Sequence, residues 1–330
     1  MTTKEDMTPM DTTMTTTGST LPNELTRLGD QAHDYARQSK AHSTLRAYRS
    51  DWTHFTRWCD ARGRAALPAS AETVALYVTD LAATHRPATL TRRLAAISVA
   101  HKAAGCETPT ASAPVRAVLQ GIRRVKGTAP TQKVAAVTAD IRAMIGKLRL
   151  DTLGGLRDRA LLLTGFAGGM RRGELAGLDV GDVEFVHEGA TVTIRRSKSD
   201  QEGVGARVGL PYGSDPATCP VRALRAWLDA SRVAERPLLR AVDRHGRLGE
   251  GRMSGQAVAE VIKRAAVSIG QDPARYGGHS LRAGMATAAA QAGATEAAIQ
   301  KQGRWRSLVV RRYVRHGSLY VDNAAAKLGL

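Results

Sequence analysis

Only three cysteines occur among the 330 residues, Cys59, Cys106 and Cys219, far apart and without a CxxC pair. This usage excludes a disulfide framework and the common zinc-ligand spacings, and it fits a reducing, cytoplasmic compartment. Aromatic residues are scarce at 4%, against 43% hydrophobic and 24% charged residues, an ordinary globular balance. No apolar run approaches the roughly 20 residues that a membrane-spanning helix needs. The opening stretch, MTTKEDMTPMDTTMTTTGST (1–20), also lacks an apolar segment. It is expected to be a disordered tail rather than a secretory or transit signal. Acidic residues are in deficit, 30 against 48 Lys and Arg, for a net charge of +18.

The positive excess is not confined to a tail. Residues 21–132 hold 16 basic and 8 acidic side chains, and residues 133–330 hold 31 and 19. The length suits two domains, each with a sizeable core. Positive fields on both point to a polyanionic partner, a nucleic acid.

Apolar periodicity organises the first half. In STLRAYRSDWTHFTRWCDA (43–61), Leu45, Tyr48, Trp52 and Phe55 recur at three- and four-residue spacings, with Trp58 and Cys59 extending the stripe. That predicts a helix with one buried face and Ser43 as its N-cap. Val74, Tyr77, Val78 and Leu81 repeat the pattern over 70–84, and Leu90, Leu94 and Ile97 over 88–104. A fourth helix is expected at 114–125. The polar faces carry Arg46, Arg49, Arg92 and Arg93, candidate contacts to a nucleic-acid backbone. Residues 21–126 therefore predict a bundle of about four helices, and the Gly-, Pro- and Thr-containing 127–133 predicts a linker. Beyond it, LRDRALLLTGFAGG (156–169) is an apolar helix ending at paired glycines. ATVTIRRSK (190–198) and ARVGLPYG (206–213) flank a polar loop, a hairpin signature. Helices resume at 220–232, 254–269, 280–292, 295–302 and around 307–316. The expected class is mainly α with one small antiparallel sheet.

Four short segments of residues 134–330 carry chemistry. GGMRRGELAGL (168–178) puts Arg171, with Arg172 beside it, after a glycine-rich helix break, and places Glu174 three residues later. IRRSKSD (194–200) puts Lys198 at a hairpin tip, next to Arg195 and Arg196. GGHSLR (277–282) gives His279 and Arg282, one helical turn apart and followed by a run of small residues. GRWRSLVVRRYVRHG (303–317) gives Arg304, Trp305, Arg306 and Tyr313; between Glu296 and Asp322 no acidic residue occurs.

In this order, Arg, Lys, His-x-x-Arg, Trp, Tyr, the set resembles the tyrosine recombinases of the phage-integrase type, from about residue 25 to 330. The resemblance implies an N-terminal helical, SAM-like core-binding domain (21–126) and a catalytic domain of the DNA breaking-rejoining fold (134–330). It implies that Arg171 and Arg282 grip the scissile phosphate, that Lys198 is the hairpin lysine, and that His279 belongs to the His-x-x-Arg box. Tyr313 becomes the nucleophile, with Trp305 at a position that is commonly His and Glu174 as the acidic support. Further contacts to DNA are expected from Arg196, Arg304 and Arg306. A homotetramer on DNA, a dimer of dimers, is implied as well, with the end of the chain (317–330) docking on a neighbouring protomer.

The chemistry is consistent with these residue types. A phosphodiester must gather charge as oxygens join and leave, and two guanidiniums grip its non-bridging oxygens bidentately while staying charged. A phenol is both a tolerable nucleophile and a good leaving group. Strand cleavage and rejoining then need neither metal nor ATP, so no cofactor is expected. One departure stands out: Trp305 and Tyr313 are eight positions apart where the family usually has nine, and a single deletion rotates the downstream part of a helix by about 100°. Two rivals remain. TEAAIQKQGRWRSLVVRRYVR resembles a helix-turn-helix of a non-catalytic DNA-binding protein. A resolvase or type IB topoisomerase would share the chemistry.

Overall fold

The computed structural model describes residues 21–38, 41–129, 132–197, 200, 203–305, 310, 311, 313 and 328. The chain divides between Pro130 and Thr131 into two compact units. The tail at 1–20 and the end of the chain from 317, apart from residue 328, lie outside the described residues.

The first unit holds α1 (Leu21–Gln38), α2 (His42–Asp60), α3 (Ala71–Ala82), α4 (Pro87–Ala103) and α5 (Ala113–Lys126). Its core gathers Phe55, Trp58, Cys59, Val74, Tyr77, Leu90, Ile97 and Val115. All but Val115, which α5 supplies, are residues that helical spacing aligns on one side of α2, α3 and α4. Ser70 caps α3 by accepting the Thr73 amide at 3.1 Å. Three expectations need correction. A fifth helix, α1, precedes the bundle of four. Ser43 is not the cap of α2, because that helix already begins at His42. Leu45, at the open end of the α2 stripe, is exposed.

The second unit begins with α6 (Thr138–Gly146), α7 (Leu153–Ala167) and α8 (Arg172–Gly177). A three-stranded antiparallel sheet comes next, β1 (Val183–Val186), β2 (Gly189–Ile194) and β3 (Ala206–Pro211), in that spatial order. Ile194 pairs with Ala206 where β2 and β3 enter the predicted hairpin loop. After it stand α9 (Pro220–Ser231), then β4 (Arg240–Val242) and β5 (Leu248–Arg252), which form a second, two-stranded sheet. The unit continues with α10 (Gly255–Ser268), α11 (Ser280–Gln291) and α12 (Glu296–Gly303). The expectation of a single small sheet is therefore corrected to two. Trp227, Leu161, Leu162 and Ile262 lie in the main core. A separate cluster joins Ala283, Met285, Ala286, Ile299, Trp305, Val310 and Tyr313.

The small residues of α11 explain how that helix becomes a mount. A Cβ on Gly284 would land on the backbone carbonyl of Ala136. One on Gly165 of α7 would meet Leu281 Cδ1 at 2.7 Å. Backbone thus approaches backbone where side chains would hold α11 away.

Candidate active site

The turn between α7 and α8 presents the first arginine. Gly168 and Gly169 end α7, and Gly169 takes a φ of +52°, which a side chain rarely tolerates. Arg171 comes two residues later in extended conformation as the N-cap of α8. Its amide donates to Glu174 Oε2 at 2.9 Å and its Nη1 to Glu174 Oε1 at 2.5 Å. A glutamate at the third helical position that reaches back to the N-cap amide holds the arginine at the helix mouth. Burial opposes ionisation of Glu174, but the Arg171 amide and the charges of Arg304 and Arg171 outweigh it and hold the carboxyl below its ordinary range. Arg172 points elsewhere: its stem lies over Gly278, where a Cβ would sit 2.6 Å from Arg172 Cβ, and beside Gly255.

The second arginine comes from α11. His279 is the N-cap of this helix and stays exposed, whereas Arg282 has no solvent-exposed surface. Arg282 Nη1 donates to the Gly169 carbonyl at 2.5 Å, and its guanidinium carbon lies 4.0 Å from the Trp305 ring centroid, a cation–π contact. Its Nη2 is buried with no hydrogen-bond partner among the described residues. Burial first, and the neighbouring Arg171 charge second, push its pKa down to about 9, so it remains charged at neutral pH.

Tyr313 completes the group. Its hydroxyl lies 2.5 Å from His279 Nε2, and its ring centroid lies 5.8 Å from that of Trp305. Both aromatic residues are 9% exposed. The eight-position spacing therefore leaves the tyrosine directed at the histidine.

Arg304 is half-buried at the edge of the site. Its Nη1 donates to the carbonyls of Gly168 and Gln302, both at 3.0 Å, and its Nη2 to Gly169 O at 3.3 Å and Glu174 Oε2 at 2.8 Å. Its side chain is only 13% exposed. Arg93, expected on the polar outer face of its helix, is corrected to a buried position. It is 9% exposed and donates to the Tyr77 hydroxyl at 2.8 Å. Arg92 is exposed and paired with the buried Asp51. Arg46, Arg49 and Arg196 are exposed. Lys198 and Arg306 lie outside the described residues. On either side of Lys198, Ser197 and Asp200 border a cleft of about 410 Å³ that Lys301, Arg304 and Trp305 also line.

Two guanidiniums, an imidazole and a phenol thus meet beside an open cleft. Among the described residues no cluster of His, Cys, Asp and Glu has the make-up of a metal site, and no helix is long and apolar enough to cross a membrane. The phage integrase family model matches residues 139–318, more than half of the chain, and the chain belongs to that family. It is 37% identical over 306 residues to the integrase/recombinase xerD homolog of Selenomonas ruminantium, spanning 92% of this chain and 90% of that protein. It is 25% identical over 302 residues to the recombinase cre of Escherichia phage P1, spanning 85% and 86%. The lambda integrase dimer bound to a COC′ core site superposes with a TM-score of 0.58 at 15% identity, over 94% of this chain and 84% of that one. That last likeness is one of fold: mainly helical, with small antiparallel sheets, as in the tyrosine recombinases.

Proposed function

We propose that this chain is a site-specific tyrosine recombinase that cleaves and rejoins double-stranded DNA through Tyr313. The observation that carries the reading is the 2.5 Å approach of the Tyr313 hydroxyl to His279 beside the buried Arg282. The phenolic oxygen attacks the scissile phosphorus, a 3′-phosphotyrosyl bond forms, and the bond to the 5′ oxygen breaks. His279 takes the phenolic proton, and Lys198 delivers a proton to the departing 5′ oxygen. Arg171 and Arg282 hold the non-bridging oxygens. Arg282 Nη2, without a partner among the described residues, supports this role, since a buried charged donor is costly until an anion completes it. As Arg282 has no exposed surface, arrival of the phosphate displaces part of the cover formed around it. A later attack by a DNA hydroxyl on the phosphotyrosine reverses the step.

Residues 21–126 act as the core-binding module, with Arg46, Arg49 and Arg92 on the DNA backbone, and 127–133 as the linker. Residues 134–330 form the catalytic domain, and Arg196 and Arg306 reach DNA near the hairpin and the nucleophile. The working form is a homotetramer on DNA in the cytoplasm, with 317–330 docking on a neighbouring protomer. A non-catalytic DNA-binding role leaves the convergence of Arg171, Glu174, His279, Arg282 and Tyr313 without a purpose.

A DNA substrate nicked close to the cleavage position tests the reading, because loss of the short fragment traps the adduct. Wild type is expected to yield a covalent protein–DNA band and Tyr313→Phe none. An adduct that persists in Tyr313→Phe places the nucleophile elsewhere, and absence of adduct from wild type removes the enzyme reading.

A further inference from the structure

Arg304 combines three features that a surface DNA contact does not need. Its backbone is left-handed, with φ 57° and ψ 44°, where it closes α12. Its guanidinium reaches four acceptors, the carbonyls of Gly168, Gly169 and Gln302 and the carboxylate of Glu174. The remaining Nε is buried without a partner among the described residues. Two of those carbonyls belong to the turn that delivers Arg171, and Gly169 O also accepts from Arg282. Glu174 in turn holds Arg171 by side chain and backbone. Trp305 leaves the α12 cap immediately after Arg304.

We infer that Arg304 is a positioning residue for strand cleavage, acting through Glu174 on Arg171 and through the Gly168–Gly169 turn on Arg282; this rests on the recombinase reading above. One carboxylate is shared between two guanidiniums. Arg304 takes part of the Glu174 charge, so the carboxylate that holds Arg171 is shared and fixed from two sides. The same side chain also ties the start of the tyrosine segment to the arginine-bearing turn, so the nucleophile and the phosphate grip share one reference point. Such geometry matters because a misplacement of about 1 Å at a reacting centre costs on the order of 10²-fold in rate.

The test compares Arg304→Ala, Arg304→Gly and Arg304→Lys on the nicked substrate. Three quantities are read: the single-turnover rate of adduct formation at saturating DNA, the DNA affinity across a salt series, and the melting temperature. Arg304→Ala and Arg304→Gly are expected to slow adduct formation at least tenfold with affinity and its salt dependence unchanged. Arg304→Lys, which keeps one donor for Glu174, is expected to recover part of the rate. Glycine removes the left-handed strain, so its slow cleavage with a near-normal melting temperature separates positioning from folding. In a double-mutant cycle, Arg304→Lys with Glu174→Gln is expected to be no slower than the slower single variant. Wild-type rates, independent effects in the cycle, or a salt slope reduced by about one in Arg304→Ala overturn the inference while the recombinase reading stands. Absence of adduct from wild type overturns both.

Discussion

The Tyr313 hydroxyl and His279 Nε2 lie 2.5 Å apart although 34 positions separate the two residues in the chain. In the proposed reaction the histidine at the helix cap takes the phenolic proton. His279→Gln keeps a polar side chain there but removes the proton acceptor. It is expected to slow adduct formation by about 10²–10⁴-fold at unchanged DNA affinity, measured by quenching single turnovers on the nicked substrate. A rate within threefold of wild type would assign the proton to another group.

Arg172 is exposed, and its stem lies against Gly278 and Gly255. On the proposed DNA-bound reading, this exposed arginine two positions from Glu174 meets a neighbouring backbone phosphate. Arg172→Gln is expected to weaken binding uniformly across DNA sequences and to lower the slope of log affinity against log salt by about 0.9. A salt titration by fluorescence anisotropy measures it, and an unaltered slope excludes the contact.

Glu174 titrates below its ordinary value near 4.5 because the Arg171 and Arg304 donors outweigh its burial. A carboxylate with a depressed folded pKa stabilises the fold above its unfolded pKa. That contribution fades as pH falls through the folded value. The melting-temperature gap between wild type and Glu174→Gln should therefore be widest at about pH 6 and should narrow steadily as pH falls below about 4.5. A gap that stays constant over this range contradicts the assignment.

Gly284 and Gly173 give opposite expectations for the same substitution. Gly284→Ala drives a methyl group into the Ala136 carbonyl and should destabilise the second unit by about 1–3 kcal/mol. Gly173 in α8 has open space around it, and Gly173→Ala should stabilise by about 0.5 kcal/mol. Urea denaturation of both variants checks the pair, and equal shifts would mean that close backbone approach is not what Gly284 provides.

The helices were legible where one face is apolar. The Val74, Tyr77, Val78, Leu81 and Leu90, Leu94, Ile97 stripes are buried with at most 7% exposure. The β4–β5 pair was not, since RAV and LGEGR are short, glycine-bearing and without alternation. Arg93 and Arg304 show why charge alone misleads. Arg93 stands next to Leu94 on the inward side of α4, where the Tyr77 hydroxyl accepts from it. Arg304 sits in a run of basic residues that looks like a solvated face, but its left-handed backbone and Glu174 turn it inward. Both partners are distant in sequence, so periodicity carries no trace of them. Arg171, His279, Arg282, Trp305 and Tyr313 were legible because an ordered set of residue types survives without knowledge of the intervening geometry. The shared use of Glu174 and Gly169 was not, because it depends on a carbonyl and a carboxylate that any sequence could supply.

The short stretch just past the linker sets where the protein can be dissected. Val134 donates its amide to Arg275 O at 2.9 Å, Ala136 donates to Ser280 O at 3.1 Å, and Gly284 is moulded against Ala136. These residues precede α6, yet they lace down the loop that leads into the His279 cap. A fragment that begins at Lys133 keeps this lacing. One trimmed to the helix start at Thr138 strips the brace from beneath α11, so subcloning or limited proteolysis of the C-terminal half has its usable border before residue 134.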